Sequence, residues 1–274
     1  MIILKSLASS LMSTTTDLPM PLTISDELAT TSNVSLHNVG CFEYMSSIQA
    51  GSVDAIITDL PYGTTKCAWD TPLNLNEMWS LVWRVLKPSG VFITTATNPF
   101  TSVLIASQLP KFRRSLVWDK GIGIDFLNAN RHPLKCHEDI VIMAAGNVTY
   151  NPQFNTGKPY NAVAQADRGT IVNQNGGPVH RQEVVNTGTR HPMSVVRFKP
   201  EGGKVHATQK PLALYEWLVK SYSNKGDKVL DICAGAGTTL LACANTGRVG
   251  VGCELDPEIY ATAIKRLRDS GVTV

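Results

Sequence analysis

Lys228-Val229-Leu230-Asp231-Ile232-Cys233-Ala234-Gly235-Ala236-Gly237-Thr238-Thr239, running on into Leu240-Leu241-Ala242-Cys243, is the stretch on which the fold class turns. Residues 228–232 form a short apolar run, the glycines that follow punctuate it, and 238–246 reads as a helix. A second strand at 248–253 and a helix at 257–268 come next. Strand, tight turn, helix and strand in that rhythm predict an α/β domain whose mostly parallel sheet is covered on both faces.

The same rhythm runs upstream. Residues 53–58 (VDAIIT) read as a buried strand that stops at Asp59 and Pro61. Residues 74–87 place apolar side chains at 75, 78, 79, 82, 83 and 86, a helical stripe ended by Pro88-Ser89-Gly90. A strand at 91–96, a helix at 99–109 and strands at 114–118 and 139–143 follow. Pro211 opens a helix reaching about 222, where a fixed φ and a missing N–H suit the first turn. Between 147 and 205 the text is rich in Gly, Asn, Gln and Pro, with turn signals such as Asn175-Gly176-Gly177-Pro178, and reads as irregular.

Of 274 residues, 43% are hydrophobic, enough for one large core. No apolar run reaches the roughly 18 residues of a membrane span. Residues 1–33 are rich in Ser and Thr and read as a mobile tail; Met1-Ile2-Ile3-Leu4 before Lys5 is wrongly ordered for a signal peptide. The six cysteines form no CxxC pair and no ligand spacing with histidine, so neither a metal site nor a disulfide framework is expected. Net charge is +3, unevenly placed. Residues 111–210 hold 14 Lys and Arg against 7 Asp and Glu, while the remainder holds 11 against 15. That basic middle suits either a phosphate backbone or a solvated loop region.

The glycine turn lets a ligand approach the backbone closely and points it at the free N–H groups of the next helix. Glu254 then ends the following strand, where a carboxylate can accept from ribose hydroxyls, with Asp256 close by. A dinucleotide site wants a third glycine at 240, and Leu240 stands there. The expected ligand is therefore a nucleoside without a pyrophosphate, such as S-adenosylmethionine. Asp59-Leu60-Pro61-Tyr62 lies at the carboxyl end of a strand, where open α/β sheets place their chemistry. The Asp59 carboxylate and a carbonyl of Leu60 or Pro61 can hold both hydrogens of an amine and aim its nitrogen. Proline fixes the backbone that presents the carbonyl, and Tyr62 offers a flat face to a planar substrate. Read alone, the tetrapeptide is equally an Asp-initiated turn.

Taken together these segments resemble the amino-methyltransferases of DNA, which make N6-methyladenine or N4-methylcytosine. The likeness spans about 34–268 and follows the β arrangement, with the catalytic box first and the cofactor loop last. Asp59-Leu60-Pro61-Tyr62 resembles the family's (D/N/S)PP(Y/F/W) box with Leu60 for the first proline, and continues as in a phage and bacterial DLPYGTT subgroup. His206-Ala207-Thr208-Gln209-Lys210-Pro211 resembles its H-P-T-Q-K-P segment. Asp231 to Thr239 resembles its D-P-F-x-G-S-G-T-T loop, with Ile232 and Cys233 replacing Pro-Phe. Gly40 stands where a carboxylate often reaches the cofactor adenine, which implies weaker cofactor binding.

The resemblance implies a Rossmann-like fold with a seven-stranded sheet and base flipping of the target. It implies catalytic roles for Asp59, Leu60, Pro61 and Tyr62. Its cofactor site would comprise His206, Gln209, Lys210, Asp231, Cys233, Ala234, Gly235, Gly237, Thr238, Thr239, Glu254 and Asp256, with S-adenosylhomocysteine as product and no metal. Lys120, Arg168, Arg181, Arg190 and Arg197 become candidate contacts to double-stranded DNA. Residues 34–146 are then a catalytic half, 147–205 a target-recognition region and 206–274 a cofactor-binding half. A homodimer, a cognate restriction endonuclease and the cytoplasm of a bacterial or phage-infected cell complete the picture. Asp at the head of the box favours adenine N6 over cytosine N4. Protein-glutamine methylation would put the cofactor loop before the box, the reverse of the order here. A DNA-binding module without catalysis has only Gly40 in its favour.

Overall fold

The computed structural model describes residues 33–63, 70–162, 184–201 and 209–274. The expected tail, apart from Asn33, lies outside them, as do His206, Arg168, Arg181 and the 175–178 turn. In chain order the elements are β1 (Val34–Asn38), α1 (Cys41–Ser47), β2 (Val53–Asp59), α2 (Leu75–Val85), β3 (Leu86–Ala96), α3 (Phe100–Ser107), β4 (Phe112–Ile124), β5 (Lys135–Ala144), β6 (Asn155–Thr156), β7 (Tyr160–Ala162), β8 (Val184–Asn186), β9 (Thr189–Arg190), β10 (Val195–Arg197), α4 (Leu212–Tyr222), β11 (Lys228–Asp231), α5 (Thr238–Thr246), β12 (Val249–Glu254) and α6 (Pro257–Asp269).

Strand follows helix as the periodicity predicts, and the resulting sheet runs β1-β12-β11-β2-β3-β5-β4-β10. Neighbours are parallel except that β5 opposes both β3 and β4. Along β2 every residue from Val53 to Thr58 except Asp54 is buried, because side chains alternate between two covered faces. Ile56 packs with Met45 of α1, Met78 and Trp79 of α2 and Leu104 of α3. Its neighbours Ala55 and Ile57 pack with Leu214, Tyr215 and Leu218 of α4. A third cluster joins Leu240 of α5 and Leu267 of α6 to Val34 and Leu36 of β1.

Departures from the sequence reading have local causes. The sheet has eight strands, not seven, because β10 pairs with β4 and buries Val196. That strand comes from the stretch read as irregular; three residues are too few to carry a period. β3 begins at Leu86, earlier than expected, since Val53 pairs with Leu86, and a register shift separates that pair from Ala55 with Val91. Pro211 is the N-cap of α4 rather than its first residue. β1 and α1 are unread in the sequence; β1 forms the edge of the sheet beside β12, and α1 packs against α2 and β12.

One feature of the topology places the site. β11 lies between β12 and β2, so the chain leaves neighbouring parallel strands toward opposite sides of the sheet, and a crevice opens at their carboxyl ends. Val229 is in register with Ala55 and Leu230 with Ile56, which brings Asp231 and Asp59 to the same edge.

Candidate active site

A cavity of about 930 Å³ occupies that crevice. Asp59, Leu60 and Pro61 line it together with Asp231 to Ala236, Thr238, Thr239, Glu254 and Asp256. Lys210 and Gln209 close it from the chain preceding α4.

On the glycine-turn side the floor is built from Asp231. Its Oδ1 accepts from Thr58 Oγ1 at 2.7 Å and from the Cys233 N–H at 3.1 Å, and its Oδ2 accepts from Thr239 Oγ1 at 2.5 Å. The carboxylate thus ties β11 to β2 and to the first turn of α5. Burial, opposed by these hydrogen bonds, lifts its pKa to about 6. Gly237 caps α5 at φ +75°, and Gly235 sits at φ +50° with open space where a Cβ would be. Both conformations favour glycine. Arg266 of α6 holds the turn from behind, donating to Ala236 O and to Thr238 Oγ1, each at 2.8 Å. Glu254 accepts from the Gly235 N–H at 2.9 Å and the Asp256 N–H at 3.0 Å. An ionised carboxylate has about four acceptor positions, so roughly two are left for a ligand hydroxyl pair. Asp256 caps α6, accepting from the N–H groups of Glu258 and Ile259.

Around the box, Asp59 is densely engaged. The Tyr62 hydroxyl donates to its Oδ1 at 2.7 Å, and the Thr95 hydroxyl at the end of β3 donates to the same oxygen. Oδ2 accepts from Lys210 Nζ at 2.5 Å. Lys210 is itself buried and lies 3.7 Å from Glu138 Oε2, while Lys120 pairs with Glu138 Oε1 at 2.6 Å. Burial alone would push the Lys210 ammonium down in pKa, but Asp59 and Glu138 more than offset it. Burial likewise pushes Glu138 up, and Lys210 and Lys120 reverse the shift to below the ordinary glutamate value. Lys210 and Glu138 both stay charged near neutrality. The Tyr62 phenol is pushed well up by burial and by Asp59, so it acts as a donor. Its ring stacks on Phe100 with centroids 5.4 Å apart, which leaves at most one face for an incoming planar group.

Most residues singled out in the sequence therefore converge on this cavity. Gln209 donates to Glu201 at 3.1 Å at its rim. Lys120 is half-buried and held in its pair with Glu138. Arg190 lies over Tyr160 at 4.7 Å and donates to the Thr189 carbonyl, bracing the short ladders β6–β9 and β7–β8. Arg197 is exposed and pairs with Asp119 at 2.7 Å. Sequence reasoning missed Thr95, Glu138 and Tyr215. Polar residues at strand ends, or inside an apolar strand as at Glu138, were the available signal. Tyr215, buried on α4, lines the cavity from a position that reads only as helix core. Among the described residues no group of three or more His, Cys, Asp or Glu could hold a metal ion, and no helix is long and apolar enough to cross a membrane.

Comparison with known proteins adds ancestry. Residues 53–265 match the N6/N4 family described as DNA methylase. The type II methyltransferase M.HpaI of Haemophilus parainfluenzae is 28% identical over 238 residues, covering 81% of this chain and 70% of that protein. The DNA adenine methyltransferase YhdJ of Escherichia coli K12 is 28% identical over 237 residues, covering 81% and 79%. The crystal structure of the M1.HpyAVI–SAM complex shares the fold, with a TM-score of 0.59 at 24% identity over 85% of this chain and 100% of that one.

Proposed function

Since the chain belongs to the N6/N4 DNA methylase family, we propose that it methylates the N6 amine of adenine in double-stranded DNA and that Asp59 to Tyr62 are its catalytic segment. S-adenosylmethionine is the methyl donor in this family. The observation that carries the reading is a single cavity lined at once by Asp59, Leu60 and Pro61 and by the Gly235 turn and Glu254. The residues fit the cofactor. Gly235 leaves room for a close approach, Glu254 retains acceptor capacity for ribose hydroxyls, and about 930 Å³ is ample for a nucleoside amino acid. When bound, the cofactor supplies an electrophilic methyl group on a sulfonium.

What the protein contributes is placement. The adenine amine is a weak nucleophile because its lone pair is delocalised into the ring. Asp59 accepts one of its hydrogens and the Leu60 or Pro61 carbonyl the other, turning the nitrogen toward the methyl group. The bound cofactor would supply the methyl group, and Asp59, already holding an amine hydrogen, would take the proton that the methylated amine gives up. Tyr62 and Thr95 hold that carboxylate in its orientation through hydrogen bonds. Adenine rather than cytosine rests on Asp at the head of the box and on YhdJ being an adenine enzyme.

The division at 34–146, 147–205 and 206–274 into catalytic, target-recognition and cofactor-binding parts belongs to the same reading. Exposed Arg197 is assigned to DNA contact, and half-buried Lys120 to the charge network at Asp59. A homodimer, a companion restriction endonuclease and a cytoplasmic location are the remaining expectations. The test is incubation with duplex DNA and methyl-labelled cofactor, then digestion to nucleosides and mass spectrometry. N6-methyladenine is the expected product. N4-methylcytosine would correct the base, and unlabelled DNA would sink the reading.

A further inference from the structure

We propose that Lys210 is a movable counter-ion, held on Asp59 until the target amine arrives and then passed to Glu138, which makes Glu138 a positioning residue for methyl transfer. The inference rests on the proposed role of Asp59 and deepens it.

The geometry sets up the exchange. Asp59 Oδ1 already receives Tyr62 and Thr95, and Oδ2 is in contact with the Lys210 ammonium at 2.5 Å. An incoming amine must hydrogen-bond to that carboxylate and then gains positive charge as the new bond forms. An ammonium on the same oxygen competes for the lone pairs and repels the developing charge, most strongly in a site shielded from water. Glu138 stands ready on the other side of Lys210. Its Oε2 is buried, has no hydrogen-bond partner among the described residues, and lies 3.7 Å from Nζ. A charge-assisted contact of about 2.8 Å needs a shift of about 1 Å, small for a four-carbon stem.

Glu138 itself is anchored. It faces Trp118 in the β4–β5 ladder, and Lys120 grips its other oxygen at 2.6 Å. Lys120 therefore fixes the acceptor while Lys210 travels. The buried ammonium has a carboxylate beside it before and after the move, and Asp59, which is partly exposed, keeps the hydroxyls of Tyr62 and Thr95 when the ammonium leaves. A ligand-only role for Lys210 would not account for a second carboxylate oxygen on its far side, within ion-pair range and not hydrogen-bonded among the described residues.

The experiment is a double-mutant cycle on the full chain, with DNA methylation measured at saturating S-adenosylmethionine. Glu138→Gln should lower kcat about 10- to 100-fold while the KM for the cofactor stays within about twofold, and Glu138→Asp should recover most of the loss. In a Lys210→Met background the same Glu138→Gln change should alter kcat by less than about threefold, because there is no ammonium left to receive. Equal losses in both backgrounds, or an unchanged kcat, would overturn the proposal. If Glu138→Gln does not fold, a crystal of the wild-type chain with duplex DNA and S-adenosylhomocysteine decides. Nζ should sit on Glu138, and Nζ still on Asp59 overturns it. Wild-type methylation without coupling sinks this inference alone; absence of any DNA methylation sinks the proposed function with it.

Discussion

Replacing Asp231 by asparagine isolates the titration of one buried carboxylate and reports on the floor of the cavity. The side chain is 3% exposed, and burial raises its pKa from the ordinary 3.8 to about 6 despite three hydrogen bonds that favour the charged form. A carboxyl whose pKa is raised in the fold stabilises the protein fully below its unfolded pKa, and that contribution is lost as pH rises through the folded value. Two units at about 1.4 kcal/mol each amount to roughly 3 kcal/mol, lost between about pH 4 and pH 6.5. Asparagine does not titrate. The difference in unfolding free energy, variant minus wild type, should therefore climb by roughly 3 kcal/mol over that window and stay level above it. Any constant offset from altered hydrogen bonds to Thr58 and Thr239 drops out of the slope. Urea unfolding of both proteins at half-unit steps from pH 3.5 to 7.5 measures it. Curves that run parallel, within about 0.5 kcal/mol, would refute the assignment of a costly charge to this position. A cationic ligand bound in the cavity should pull the step to lower pH, because a nearby positive charge favours the carboxylate.

Three other outcomes follow from the packing and the site. Asp59→Ala should leave cofactor binding by calorimetry within a few fold but lower turnover by about 100-fold or more, since it removes an acceptor aimed at the amine; undiminished turnover would move the chemistry elsewhere. Gly250→Ala puts a Cβ 2.9 Å from Cys243 Cβ, where β12 passes under α5. It should cost about 1–3 kcal/mol in urea unfolding, and a neutral change would show that α5 can lift. Trp79→Ala empties a fully buried ring that stacks near Trp83 and donates to Ser107 at 2.8 Å. Its expected cost is about 3–5 kcal/mol, with kcat per folded molecule unchanged.

The parts of this molecule that announce themselves in sequence are those whose physics is local. Strand β2 is a continuous apolar run because both its faces are covered, and α2 shows its stripe because only one is. The Gly235–Gly237 turn is legible for the same reason. By contrast, β10 is three residues whose strand character comes from pairing with β4, and Glu138 becomes part of the site only because Lys120 and Lys210 reach it from 18 and 72 residues away. From sequence, Lys210 reads only as part of the cofactor pocket. Its contact with Asp59 spans 151 residues, beyond what spacing can convey.

The neighbourhood of β1, β12, β11 and β2 has a consequence for how the protein comes to exist. β2 finds its parallel partner β11 across a separation of 173 residues between Thr58 and Asp231, and β1 must wait longer still for β12. Contacts so distant in sequence form slowly. During synthesis at about 5–20 residues per second, the apolar edge of β2 stays open for roughly ten seconds or more before β11 leaves the ribosome. Through that interval the nascent chain carries an unpaired, aggregation-prone edge and no cofactor pocket. Slowed elongation or scarce chaperone should therefore reduce the yield of soluble protein well before it alters the specific activity of what survives.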